Sequence, residues 1–195
     1  MIDLKKRAKE RKDMPQEQKS ALSPRCSHLS KDLQDLELPK NVKMRFPKQG
    51  DIREIEFLVT PEDGLWKDGN FLFNVQYTPE YRNACPKIKC LTNTYHPQFL
   101  KDEVCLSIKR TAKTEIDGGW TPIRGTIDII QSFLLVLMNP DGTDALNPDV
   151  ANMMLKDYDQ FKKNVEASFR GEIVDGVKYE KQPIHYDFPE NVKKE

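Results

Sequence analysis

Hydrophobic positions along this chain change period twice. Cys26, Leu29, Leu33 and Leu36 recur at intervals of three and four, which predicts an amphipathic helix. Ser23 followed by Pro24 supplies an N-cap and a first helical residue, and Pro39 marks where the helix should stop. The period then drops to two. A short run from Val42 to Phe46 precedes Ile55, Phe57 and Val59, which alternate with Glu54, Glu56 and Leu58, as in a strand with one buried face. The turn Pro61-Glu62-Asp63-Gly64 follows, and Phe71, Phe73, Val75 and Tyr77 alternate again. Thr78-Pro79 breaks that run, and Pro86 to Leu91 makes a fourth strand. Four strands at this spacing predict an antiparallel meander.

Helical spacing returns after residue 120. Thr126 is placed to cap a helix whose core face carries Ile127, Ile130, Phe133, Leu134 and Leu137, ended by Asn139-Pro140-Asp141-Gly142. Asn147-Pro148 opens another helix. Phe161, Val165 and Phe169 share one face of a last helix, which Gly171 ends. Residues 172–195 have little apolar content and predict an extended or disordered tail, with Val177 and Tyr179 as packing points. Helix, four strands, an irregular segment and two or three helices together predict an α+β domain, with helices gathered away from an antiparallel sheet.

The irregular segment, Thr92 to Val104, is rich in breakers and polar residues and ends at Cys105. Loops held by a rigid scaffold are where chemistry tends to be placed, although a lone cysteine is more often a small buried hydrophobe. The other cysteines are Cys26, Cys85 and Cys90. They form no CxxC pair and no zinc-ligand spacing with histidine, so no metal is expected. The charged start predicts no secretory signal, hence no disulfide framework. Residues 1–19 carry seven basic and four acidic side chains, with Met1, Ile2 and Leu4 as the sizeable apolar ones before Met14. The expected division is therefore a flexible basic docking tail over 1–20, a core over 21–171 and a C-terminal tail over 172–195. Lys and Arg together equal Asp and Glu at 31 each, a balance that argues against a general nucleic-acid binder. No apolar run approaches the roughly 20 residues that a membrane span needs.

Six motifs then occur in order. Thr60-Pro61-Glu62-Asp63-Gly64 precedes Gly69 to Phe73; Tyr81 to Pro86 is similar to a Tyr-Pro-x-x-Pro-Pro turn; His96-Pro97-Gln98 is separated by six residues from Cys105-Leu106; Trp120-Thr121-Pro122, and Asn139-Pro140 with Asp144-Ala145-Leu146-Asn147, follow. This set resembles the ubiquitin-conjugating enzyme family from about Leu29 to Arg170. The start Met1-Ile2-Asp3-Leu4-Lys5, the segments Leu36 to Pro39 and Lys87 to Leu91, and the tail from Arg170 to Tyr179 resemble its neddylation branch, whose modifier is joined to cullins. Gln98 stands for the usual Asn, the stretch from His96 to Cys105 is one residue shorter than usual in the family, the stretch from Cys105 to Trp120 is several residues longer than in most members, and Arg82, Cys85 and Ala145 replace prolines.

The resemblance implies a transferase. Cys105 would take a ubiquitin-like modifier from an activating enzyme as a thioester and pass it to a lysine. A thiolate is a strong nucleophile and a good leaving group. Because the acyl group arrives activated, His96 and Pro97 are read as bracing the loop, not as a general base. Gln98 would donate to the developing oxyanion, with no part expected in folding, and Asp144 would orient the acceptor lysine. Met1, Ile2 and Leu4 would dock on the activating enzyme or a ligase. No cofactor is expected. Implied partners are the modifier, its activating enzyme, a RING-type or co-ligase protein and a cullin, around a monomer that binds neither nucleic acid nor membrane and works in the cytoplasm and nucleus. The alternatives are conjugation of ubiquitin or another modifier, and a weakly active scaffold that keeps the fold.

Overall fold

The computed structural model describes residues 27–110 and 119–188. Ser23, Pro24 and Cys26, together with the docking residues Met1, Ile2 and Leu4, lie outside the described residues. Helix α1 (Ser27–Gln34) is followed by strands β1 (Val42–Arg45), β2 (Glu54–Val59), β3 (Phe71–Gln76) and β4 (Lys87–Cys90). These form one antiparallel sheet in the order β1-β2-β3-β4. Pairing of Met44 with Phe57, Phe57 with Phe73, and Phe73 with Cys90 puts one row of apolar side chains across all four strands.

A small ladder follows, β5 (Phe99–Leu100) against β6 (Glu103–Val104), where only irregular chain was expected. Lys101 turns it at φ 56°, a left-handed conformation that glycine adopts more readily. After a 3₁₀ turn (Ser107–Lys109) come helices α2 (Thr126–Met138), α3 (Pro148–Lys156) and α4 (Tyr158–Phe169), then the hairpin β7 (Ile173–Val174) and β8 (Val177–Lys178). Helix α2 covers the apolar face of the sheet. Phe133 stacks on Phe73 at 4.1 Å and meets Phe57 at 6.2 Å.

The structure corrects several expectations. Helix α1 stops at Gln34, well before Pro39. Thr126 does not cap α2: the N-cap is Gly125, whose amide donates to Asp128 at 2.7 Å, while the Thr126 hydroxyl is buried against that of Tyr77 at 3.0 Å. The buried face of α2 carries Ile129, Ile130, Phe133, Val136 and Leu137, and Ile127 is exposed. This helix is apolar on nearly every side, so its own pattern could not single out the face that the sheet selects.

Strand β2 is buried on both faces, including Glu56 and Leu58. The reason is the C-terminal stretch. Asn70 donates to the carbonyl of Ile184 at 2.9 Å, the hydroxyls of Thr92 and Tyr186 meet at 2.8 Å, and Arg45 donates to the carbonyl of Asp187 at 2.6 Å with its guanidinium over the Phe188 ring. The chain thus runs across the outer face of the sheet, past the paired Leu58 and Leu72. Gln182, Ile184, Tyr186 and Phe188 are each partly buried and Pro183, His185 and Asp187 exposed, the period-two signature of an extended strap.

One buried polar cluster ties α1 to the rest. Asp32 accepts from the Tyr81 hydroxyl and pairs with Arg82, and the Arg82 carbonyl accepts from the Trp120 indole at 2.7 Å. Arg82, which replaces a proline of the turn that this segment resembles, supplies the charge that a buried Asp32 needs.

Candidate active site

The thiol is placed by its neighbours in the backbone. The Cys105 amide donates to the carbonyl of Gln98 at 2.8 Å, which fixes the start of the 3₁₀ turn against the His96 loop. Two further bonds join that loop to the connection between α2 and α3. The Asn147 amide donates to the Pro97 carbonyl at 2.9 Å, and the Asp141 amide donates to Oε1 of Gln98 at 2.9 Å. Asn147 also caps α3 by accepting from the Val150 amide. The consequence is a shared site. Asp144, 39 positions along the chain, sits with Oδ2 3.3 Å from the half-buried Sγ of Cys105, which donates to it.

His96 lies behind this arrangement. Its ring is fully buried between Trp66 at 4.3 Å and Phe99 at 4.4 Å. Nδ1 accepts from the Gln98 amide at 3.0 Å, which makes Nε2 the protonated nitrogen, donating to the Val136 carbonyl at 2.9 Å. Burial lowers its pKa from 6.5 to about 3, so the ring is neutral. Both nitrogens are committed to the protein frame, which leaves the ring no proton to exchange with the thiol.

Gln98 is buried and contributes in two ways. Its Oε1 is spent on Asp141, so it takes part in holding the fold, against the expectation that it acts in chemistry alone. The same bond orients the amide and leaves Nε2 as its donor. Asp141 is itself locked by its carboxylate, which accepts from the Thr143 hydroxyl at 2.7 Å and the Thr143 amide at 2.8 Å. Those bonds, aided by the charge of Arg110, hold its pKa below the ordinary value.

Cys85 and Cys90 are the other described cysteines, and burial pushes their thiols up to about 11 and about 12. Neither is then appreciably ionised near neutral pH. Among the described residues no group of His, Cys, Asp or Glu could hold a metal ion, and no helix is long and apolar enough to cross a membrane. Arg110, which the motifs did not single out, pairs with Asp144 on the oxygen that faces the thiol. No sequence signal could have paired residues 34 positions apart across an irregular stretch.

A meander sheet covered by one helix presents a half-exposed cysteine beside an irregular loop, a thiol that a substrate can reach. The ubiquitin-conjugating enzyme family model matches residues 28–169, and the chain belongs to that family. Its members are transferases that carry a modifier as a cysteine thioester. More particularly, the chain is similar to proteins named NEDD8-conjugating enzymes. It is 33% identical to UBC12 of Yarrowia lipolytica over 153 residues, 78% of this chain and 82% of the relative. It is 29% identical to UbcE2M of Drosophila melanogaster over 181 residues, 92% of this chain and 96% of the relative. Among solved structures, Saccharomyces cerevisiae Ubc12 superposes with a TM-score of 0.75 at 28% identity, covering 93% of this chain and 96% of that one.

Proposed function

We propose that this protein is a NEDD8-conjugating enzyme. It accepts NEDD8 from the activating enzyme as a thioester on Cys105 and transfers it to lysines of cullins, with a RING-type or co-ligase protein holding the substrate, in the cytoplasm and nucleus. The observation that carries the reading is the pairing of the Cys105 thiol with the Asp144 carboxylate at 3.3 Å, in a chain whose similar relatives are named for NEDD8 conjugation.

The amine nitrogen of the acceptor attacks the thioester carbonyl carbon. The C–N bond forms, the C–S bond breaks, and Cys105 leaves as a thiolate. Gln98 offers Nε2 to the carbonyl oxygen as negative charge develops there, an interaction worth roughly 2.7–4 kcal/mol where the donor is well aimed. Asp144 receives the acceptor's ammonium, which gives one proton to water, and directs the neutral amine at the carbon; the second proton, lost as the C–N bond forms, passes to the Asp144 carboxylate or to water. His96 and Pro97 keep the loop in register. Met1, Ile2 and Leu4 dock in apolar grooves of the activating enzyme and the ligase, each side chain contributing about 1.5–3 kcal/mol on full burial.

The test is a competition of loading reactions. The full chain is incubated with NEDD8 and its activating enzyme, or with ubiquitin and its own, and run on non-reducing gels. A thiol-sensitive adduct with NEDD8 alone is expected. Charging with ubiquitin and not with NEDD8 would refute the reading.

A further inference from the structure

Asp144 has two partners, and both use the same oxygen. The Cys105 thiol donates to Oδ2, and so does the guanidinium of Arg110. Oδ1 makes no bond among the described residues. Arg110 is itself held at the backbone from both directions: its amide donates to the Ser107 carbonyl at 3.1 Å, and its carbonyl accepts from the Trp120 amide at 2.8 Å. The base of the side chain is therefore fixed on the same turn that carries the thiol.

These two contacts do not survive loading equally. When the modifier is attached, Sγ is bonded to the acyl carbon and its proton is gone, so the bond from the thiol to Asp144 disappears. The bond from Arg110 does not depend on that proton. We infer that Arg110 is a positioning residue for transfer: in the loaded enzyme it alone retains Oδ2 of Asp144, and so keeps Oδ1 turned to meet the incoming lysine. This deepens the proposed conjugating function and rests on it. A carboxylate released from one fixed contact samples other rotamers on a half-exposed loop, and loss of aim at a reacting centre is expensive in rate.

The step at issue is the discharge of loaded enzyme, in which the amine nitrogen bonds to the carbonyl carbon, the C–S bond breaks and the amine's surplus proton passes to the carboxylate or to water. Single-turnover discharge to free lysine reads this directly, because only loaded molecules contribute. Arg110→Ala should discharge roughly tenfold more slowly than wild type, and Arg110→Lys should recover most of that loss. In a background of Asp144→Asn, Arg110→Ala should add no further loss, since it acts through the carboxylate. A full rate in Arg110→Ala, or an equal factor lost in both backgrounds, would overturn the inference. The cycle uses whichever modifier the wild type loads, so failure to charge with NEDD8 would count against the proposed function and leave the Arg110 result readable.

Discussion

A buried histidine that cannot take a proton makes this fold sensitive to mild acid. In the folded chain the His96 ring is neutral down to about 3, whereas its ordinary value is 6.5. Between those limits the unfolded chain binds a proton that the folded chain does not. Stability from this group is therefore fully present above about pH 6.5 and is lost as the pH falls. Each pH unit in that window removes about 1.4 kcal/mol, so moving from pH 6.5 to pH 5 removes about 2 kcal/mol. For a domain of this size that is a fall of about 4–8 °C in Tm. The control is His96→Asn, which removes the titrating ring. It starts less stable, because the contacts with Trp66 and Phe99 are lost, but its Tm should fall less steeply by that same increment. The assay is thermal unfolding by circular dichroism from pH 7.5 to 5 for both proteins. Imidazole NMR should show the His96 ring as the neutral Nε2–H form throughout. Parallel Tm curves, or a His96 ring that charges near pH 6.5, would refute the burial argument.

Cys105→Ser should abolish the thiol-sensitive adduct on non-reducing gels, since Cys85 and Cys90 are held protonated; an undiminished thioester would assign the chemistry elsewhere. Gln98→Ala should both slow discharge and lower stability by about 1–2 kcal/mol, because it strips the acceptor from the Asp141 amide; chemical denaturation with an unchanged midpoint would show that bond to be immaterial. Arg82→Ala leaves the buried Asp32 carboxylate without its cation and should cost about 3 kcal/mol in the same assay, with the loss removed if Asp32 is changed to Asn as well. Lys101→Gly, at φ 56°, should raise stability by about 0.5–1 kcal/mol by relieving left-handed backbone; a lower midpoint would mean that the Lys101 side chain stabilises the turn.

Much of this molecule could be read from residue order alone. The alternation of Ile55, Phe57 and Val59, then of Phe71, Phe73 and Val75, defined the strands and their core faces. The breakers Asn139-Pro140 and Asn147-Pro148 bounded α2 and α3. Local geometry is enough for these, because a side chain's face follows from its position in a repeat. The thiol's place after the His96 loop was legible for the same reason. What the chain order could not carry was any choice between equivalent local options or any pairing over distance. Helix α2 is apolar on nearly every side, so only the sheet could decide that Ile129 and Val136 point inward and Ile127 outward. The strap over residues 182–188 looked polar and open, yet its alternate residues Ile184, Tyr186 and Phe188 meet Asn70, Thr92 and Arg45 on strands and loops more than 90 positions earlier. The site divides in the same way. Cys105 marks itself by its local setting. The ties from Asp144 to its sulfur and from Arg110 to that carboxylate exist only because two backbone bonds, at Pro97 and at Gln98, bring separate loops to one point.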